Sequence, residues 1–155
     1  MSADVTIRPA RQDERAALDA LCFRSKAHWG YDSGFMARCR EILFVPEVLI
    51  EAGLVWVAAD RAGRPLGMVA LDAADGDPVS LDMLFVEPEA IGQGIGDLLF
   101  RHAVAAARGL LATALDIQSD PFAAGFYERM GARRTGEAPS EVLPGRMLPV
   151  YRLDL

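Results

Sequence analysis

Between a run of strand-forming residues and a run of helix-forming ones stands Ile91-Gly92-Gln93-Gly94-Ile95-Gly96. Glycines at alternate positions let a backbone turn tightly and approach a ligand without Cβ obstruction. Free N–H groups at a helix start point at an anion, and the helix dipole adds favourable potential. Together these features describe a phosphate or pyrophosphate cradle. The bland alternative is a strand-to-helix connection that is merely rich in glycine. Two common phosphate motifs fit poorly. A GxxxxGK[ST] loop needs a lysine that does not follow here. A dinucleotide fold places GxGxxG after the first strand of a βαβ unit, whereas this GxGxG loop lies beyond three or four strands, mostly hairpin-linked.

Two further places hold residues able to do chemistry. Asp82 sits inside Leu81-Asp82-Met83-Leu84-Phe85, and a carboxylate in an apolar strand is costly unless paired or exposed. It is either functional or solvent-facing. Ser25 to Tyr31 is a dense patch holding Lys26, His28, Trp29 and Tyr31, and Lys26 is the only lysine of the chain. Such a patch either walls a pocket or packs a corner between two helices.

The elements that must position these residues follow from periodicity and from breakers. Val5–Arg8 is a short strand closed by Pro9. A helix is predicted over about residues 12–26. Ser33 can cap a second helix, with Phe35, Met36, Cys39, Ile42 and Leu43 on its buried stripe, until Pro46 interrupts it. Leu54–Arg61 and Pro65–Ala73 flank Ala62-Gly63 and read as a hairpin. Val79–Val86 is a third strong strand, ended by Pro88. A helix over Asp97–Arg108 follows the glycine loop, then a strand over Leu110–Gln118. Pro121–Met130 is helical, with Asp120 as N-cap and Gly131 as the stop. Two weaker strands, at about 132–136 and 147–153, complete the order βααβββαβαββ. The prediction is one α/β (α+β) domain over residues 1–155, built around a mixed sheet.

In this setting the chain resembles the GNAT superfamily of N-acetyltransferases. That family binds the pyrophosphate of acetyl-CoA with an [RQ]xxGx[GA] loop after its fourth strand. Here the frame reads Ile91-Gly92-Gln93-Gly94-Ile95-Gly96, with Ile91 in place of the usual Arg or Gln. A second block, NxxAxxFYxxxGF, is matched by Asp120, Ala123, Phe126, Tyr127 and Gly131, with Asp120 for Asn and Ala132 for the final Phe. The element order matches over nearly the whole chain.

The resemblance implies an acyl-CoA N-acyltransferase fold and transfer of an acetyl group to a primary amine by direct attack in a ternary complex. The acceptor would be a small molecule or a peptide or protein N-terminus. CoA would be held by the loop residues 91–96, by Asp120 and Phe126, and by the strand Leu84-Phe85-Val86, whose backbone would supply the oxyanion donor. Tyr127 would protonate the leaving thiolate, since a phenol is ordinarily protonated at neutral pH; otherwise it is a helix aromatic. Asp82 lies where some members carry a catalytic Glu, with Glu87 or a water chain as the other sources of a base. Lys26, His28, Trp29 and Tyr31 would border the acceptor. Glu89 and Asp97 are expected to point away from the pyrophosphate. Arg129 either approaches a CoA phosphate or lies on a solvated helix face. A non-catalytic acyl-CoA-binding or regulatory module is the alternative.

Composition narrows the partners. Asp and Glu number 22 against 16 Lys and Arg, a net charge of -6. Nucleic acid wants a basic face, so it is excluded as a general partner. Main-chain amides can still bind phosphate on an acidic protein. Cys22 and Cys39 have neither CxxC spacing nor a disulfide framework, so no metal site is expected. No apolar run reaches the roughly 18 residues that cross a membrane. Met1–Arg15 is polar and lacks the apolar core of a signal peptide. A cytoplasmic protein is expected, acting without a membrane partner. A homodimer is open, because late strands of GNAT folds often pair between subunits.

Overall fold

The computed structural model describes residues 4–155; Met1 to Ala3, the start of the polar N-terminal segment, lie outside the described residues. The chain runs β1 (Thr6–Pro9), α1 (Arg15–Ala27), α2 (Ser33–Ile42), α3 (Glu47–Glu51), β2 (Val55–Ala59), β3 (Pro65–Asp72), β4 (Val79–Val86), α4 (Ile95–Gly109), β5 (Ala114–Gln118), α5 (Ala124–Arg129), β6 (Arg133–Pro139) and β7 (Met147–Asp154). The expected order therefore gains one short helix. Pro46, expected only to break α2, also serves as the N-cap of α3, and its carbonyl accepts from the amides of Leu49 and Ile50. Burial of those two side chains holds this single turn in place.

Three local differences have simple causes. Asp32, one residue before the expected Ser33, caps α2 by accepting from the Phe35 amide at 2.8 Å. Ile42, expected on the buried stripe, is half exposed because the chain leaves the helix at Leu43. β5 starts at Ala114 and not at Leu110. The amides of Leu110, Leu111 and Ala112 bond back onto the last turn of α4, and Leu111 takes φ 64°.

The sheet is mixed, in the order β1-β2-β3-β4-β5-β7-β6, with β4–β5 as its parallel pair. On one face α4 and α5 cover Val69, Leu71, Leu81, Leu115 and Ile117 with Leu99, Phe100 and Tyr127. On the other face α1 and α3 bring Leu18, Leu21, Leu49 and Ile50 against Val57, Met68 and Met83. Each such side chain contributes about 1.5–3 kcal/mol through burial. Phe35, Met36 and Cys39 form a satellite cluster under α2. Cys22 and Cys39 are free and buried. No helix among the described residues is long and apolar enough to cross a membrane.

Strand β4 carries the decisive irregularity. Ala70 faces Met83 and Leu71 faces Leu81, so Asp82 is the extra residue of a bulge. In a regular strand Leu81 and Met83 would share a face. Here Leu81 joins the α4 core and Met83 joins the α1 core. The pairing of β4 with β5 covers only Val79–Leu81 against Leu115–Ile117 and stops at this bulge. Beyond it Asp82–Val86 follows β3 alone and parts from β5.

The start of α4 is seated on β3 at Gly67. A Cβ there would lie 2.9 Å from Leu99 Cδ1 and 3.0 Å from both Ile95 Cγ2 and the Phe85 carbonyl oxygen. Gly67→Ala is expected to destabilise the fold by about 1–3 kcal/mol, the usual cost of overpacking. Urea denaturation checks this; an unchanged midpoint would mean that α4 can move off the sheet at no cost.

Candidate active site

The glycine loop turns from β4 into α4 through two left-handed residues, Gly92 (φ 88°) and Gly94 (φ 81°), the second being the N-cap of α4. Among the described residues, the amides of Ile95, Gly96 and Asp97 have no acceptor within the chain, and the ladder begins with Leu98 donating to Gly94 O at 3.1 Å. Three adjacent donors at the positive end of a 15-residue helix suit a phosphate. Gly96 has a separate task. A Cβ there would come within 3.3 Å of the Phe126 ring, so this glycine admits α5 to the cradle. Ile91 is largely exposed beside the loop. Glu89 turns away, ion-paired with Arg64, whereas Asp97 borders the cleft, as do Gln93's neighbours Gly92 and Gly94.

The parting of β4 and β5 opens a cleft of about 1210 Å³ that runs from this cradle to α1 and the β6–β7 loop. Leu84, Phe85 and Val86 form one wall, and among the described residues their β5-facing edge has no strand partner. Phe126, Tyr127 and Arg129 form the opposite wall. An extended ligand with a phosphate at one end and amide groups along its length fits this shape: free amides at the cradle, an unpaired strand edge beyond.

Tyr127 is almost completely buried and packs against Phe100, Phe126 and Tyr151. Among the described residues its hydroxyl has no partner and no sealed polar atom is left unsatisfied, so the hydroxyl opens onto the cleft. Burial first, and then the charge of Asp120, push its ionisation far above the ordinary phenol range. It remains a donor at any working pH. Asp82 borders the same cleft. Its surface is open to water there, while the surrounding walls crowd it. That crowding, followed by the charges of Asp72 and Glu141, raises its carboxyl above the usual range.

Asp120 organises the far end. Its Oδ1 accepts from the Phe122 amide at 2.9 Å, as the expected cap. Its Oδ2 accepts from the Lys26 ammonium and from the Tyr31 hydroxyl at 2.8 Å. Burial pulls this carboxyl upward, but Lys26, the Phe122 amide and Tyr31 outweigh it and hold it below its usual range. Arg146 donates to the Tyr31 oxygen at 2.6 Å and lies 4.0 Å from Asp120. Trp29 stacks on Phe122 with centroids 5.4 Å apart.

Lys26 and Trp29 thus border the cleft, as does Asp120. Tyr31 stands behind that lining, stacked on Phe35 at 4.1 Å. His28 is the exposed C-cap of α1, edge-on to Trp29, and does not border the cleft. Arg146 and Phe122 were not legible as site residues. Arg146 lies 115 positions from Tyr31, and no local pattern announces that contact.

Glu87, the other candidate base, is buried and gripped at both oxygens by Arg24, at 2.8 and 2.7 Å. That pairing lowers its carboxyl below the usual range, so it holds its charge and not a proton. The pair ties α1 to the exit of β4, one step before the glycine loop.

A seven-stranded mixed sheet, parted beside a helix-start anion cradle, is an acyltransferase architecture. The acetyltransferase (GNAT) domain family matches residues 51–131, and the chain belongs to the GNAT superfamily of N-acetyltransferases. It is 32% identical over 151 residues to the peptidyl-lysine N-acetyltransferase YjaB of Salmonella typhimurium strain LT2, covering 96% of this chain and 97% of that one. Its fold is shared with a GCN5-related N-acetyltransferase from Rhodopseudomonas palustris (TM-score 0.78, 20% identity, 97% and 95% coverage). It is also shared with the PaiA N-acetyltransferase of Thermoplasma acidophilum, solved in complex with coenzyme A (TM-score 0.79, 13% identity, 97% and 99% coverage).

The Arg24–Glu87 pair makes a pH-dependent contribution. A carboxyl whose folded pKa is depressed stabilises above its unfolded pKa and loses that effect as pH falls through the folded value. Glu87→Gln is expected to cost about 1 kcal/mol at neutral pH, Arg24 being half exposed. The deficit relative to the parent should shrink as the medium is acidified through the carboxylate range. Thermal melts across pH check this; a deficit that stays constant would show that packing and not charge is lost.

Proposed function

We propose that residues 1–155 act as one domain that transfers an acetyl group from acetyl-CoA to a primary amine by direct attack in a ternary complex. The observation that carries this reading is the cleft itself: three unpaired amides at one end, a bare strand edge along one wall, and a phenol opening between them. Acetyl-CoA, when bound, supplies an acetyl group activated as a thioester. The amides of Ile95, Gly96 and Asp97 hold its pyrophosphate, helped by the turn residues from Ile91 to Gly94, Gln93 among them. The backbone of Leu84, Phe85 and Val86 orients the pantetheine arm and donates to the carbonyl oxygen. Phe126 packs the floor, and Asp120 fixes the helical turn that carries Tyr127.

Asp82 takes the proton that the acceptor ammonium must lose, and its raised carboxyl makes it a better base. As the new N–C bond forms and the C–S bond breaks, Tyr127 gives its proton to sulfur and regains one from the second proton that the acceptor nitrogen sheds on becoming an amide. Lys26, Trp29 and Tyr31 shape the acceptor end, with His28 at its outer rim. The description of the Salmonella relative as a peptidyl-lysine N-acetyltransferase makes a peptide lysine the first acceptor to try, ahead of N-termini and small amines. The intact Tyr127 and the match to enzymes favour catalysis over a non-catalytic acyl-CoA-binding module.

An amine panel, read by thiol release from acetyl-CoA, tests the reading. Amine-dependent release is expected; tight binding of acetyl-CoA with no release on any amine would favour the binding module. Tyr127→Phe should lower kcat about a hundredfold, within the range for a general acid, and leave CoA affinity nearly as it was. An unchanged kcat would remove Tyr127 from the proton path. Asp82→Asn should abolish or displace the limb of the pH–rate profile that rises with pH, and an unaltered limb would assign the base elsewhere.

A further inference from the structure

The acceptor end gathers two cations around one anion: Lys26 bonds to Asp120, and Arg146 stands near it. Asp120 is saturated, with both oxygens engaged. Lys26 spends its charge on Asp120 and lies against the rings of Tyr31 and Phe35. Arg146 is different. Its guanidinium lies over Phe35 at 4.9 Å and over Tyr31 at 5.2 Å, and it donates one hydrogen bond, from Nη2 to the Tyr31 oxygen. Asp120 is 4.0 Å away, beyond hydrogen-bond reach. A guanidinium packed by its faces keeps its donors at the edge, and a carboxylate is the group that matches two of them at once. Among the described residues, Nε and Nη1 have no acceptor, and Arg146 borders the cleft.

The Arg146 backbone is fixed as well. Its carbonyl accepts from the Ser140 amide at 2.8 Å and its amide donates to Leu143 at 3.2 Å, which closes the base of the β6–β7 loop. The side chain is therefore held from both ends while its outer donors stay free. Asp82 and Glu141, which also border the cleft, are acidic and suit an ammonium, while Asp116 on the same lining is held by Arg152.

We propose that Arg146 is an anion subsite of the acceptor pocket, and that the preferred acceptor is a primary amine that also carries a carboxylate. This rests on the acetyl-transfer reading of the same cleft. The carboxylate has two possible sources with one chemistry: the acceptor's own terminal carboxylate, or an acidic side chain beside a peptide lysine.

Matched acceptor pairs separate these outcomes. The first pair is Nα-acetyl-lysine and its carboxamide. The second is a capped lysine peptide flanked by Glu and the same peptide flanked by Gln. For the protein as it stands, kcat/KM should favour the carboxylate member of at least one pair by about tenfold, and the responding pair identifies the source. Arg146→Gln should collapse that ratio toward unity, while Arg146→Lys, which keeps the charge and loses the fork, should retain part of it. Equal kcat/KM within both pairs overturns the subsite and leaves acetyl transfer standing. A preference that survives Arg146→Gln also overturns it. Absence of turnover with every amine, with acetyl-CoA still bound, overturns the acetyl-transfer reading and the subsite with it.

Discussion

The whole site depends on one broken pairing. β4 and β5 are hydrogen-bonded neighbours for three residues and then separate at Asp82, the residue inserted as a bulge where the ladder to β3 shifts. With Asp82 in regular register, Leu81 and Met83 would share a face and the strand would bury one continuous stripe. With the bulge, one half of β4 serves the α4 core and the other half the α1 core. The backbone between becomes available to something other than a strand. The bulge also places a carboxylate at the apex of the opening, in surroundings that raise its affinity for a proton.

The two ends of the cleft are held by contrasting means. At the cradle end the holding is steric and main-chain: Gly67 lets α4 sit on β3, Gly96 lets Phe126 sit on α4, and the free amides follow from the helix start. This is how a chain of net charge -6 can offer a place for a polyanion without a basic surface. At the acceptor end the holding is ionic and aromatic. Asp120 joins α1, the turn before α2, the start of the α5 turn and the β6–β7 loop through Lys26, Tyr31, Phe122 and Arg146. The only lysine of the chain thus spends its charge on Asp120, whereas Arg146, from a distant loop, makes one side-chain hydrogen bond, to Tyr31.

Much of this was legible in the residues. The glycine loop announced itself because its spacing, its preceding strand and its following helix are all local. The β4 bounds and the Asp120 cap were local too, the latter through the Asp-Pro pair at a helix start. What sequence concealed was non-local or compensated. The bulge leaves no mark, because Val79 to Val86 reads as one uninterrupted strand. α3 is a single turn, held by tertiary burial rather than by periodicity. The Leu110–Ala112 segment has strand-like residues, yet its amides are captured by the end of α4. Arg146 meets Tyr31 only through the fold.

The central claim is that the opening between β4 and β5, together with the amides that begin α4, is where CoA lies. A proton–nitrogen correlation spectrum titrated with CoA tests it residue by residue. The account predicts the largest amide shifts at Gly92–Asp97 and at Leu84–Val86, with Phe126 and Tyr127 following. Shifts concentrated elsewhere, with those amides unmoved at saturation, would contradict it.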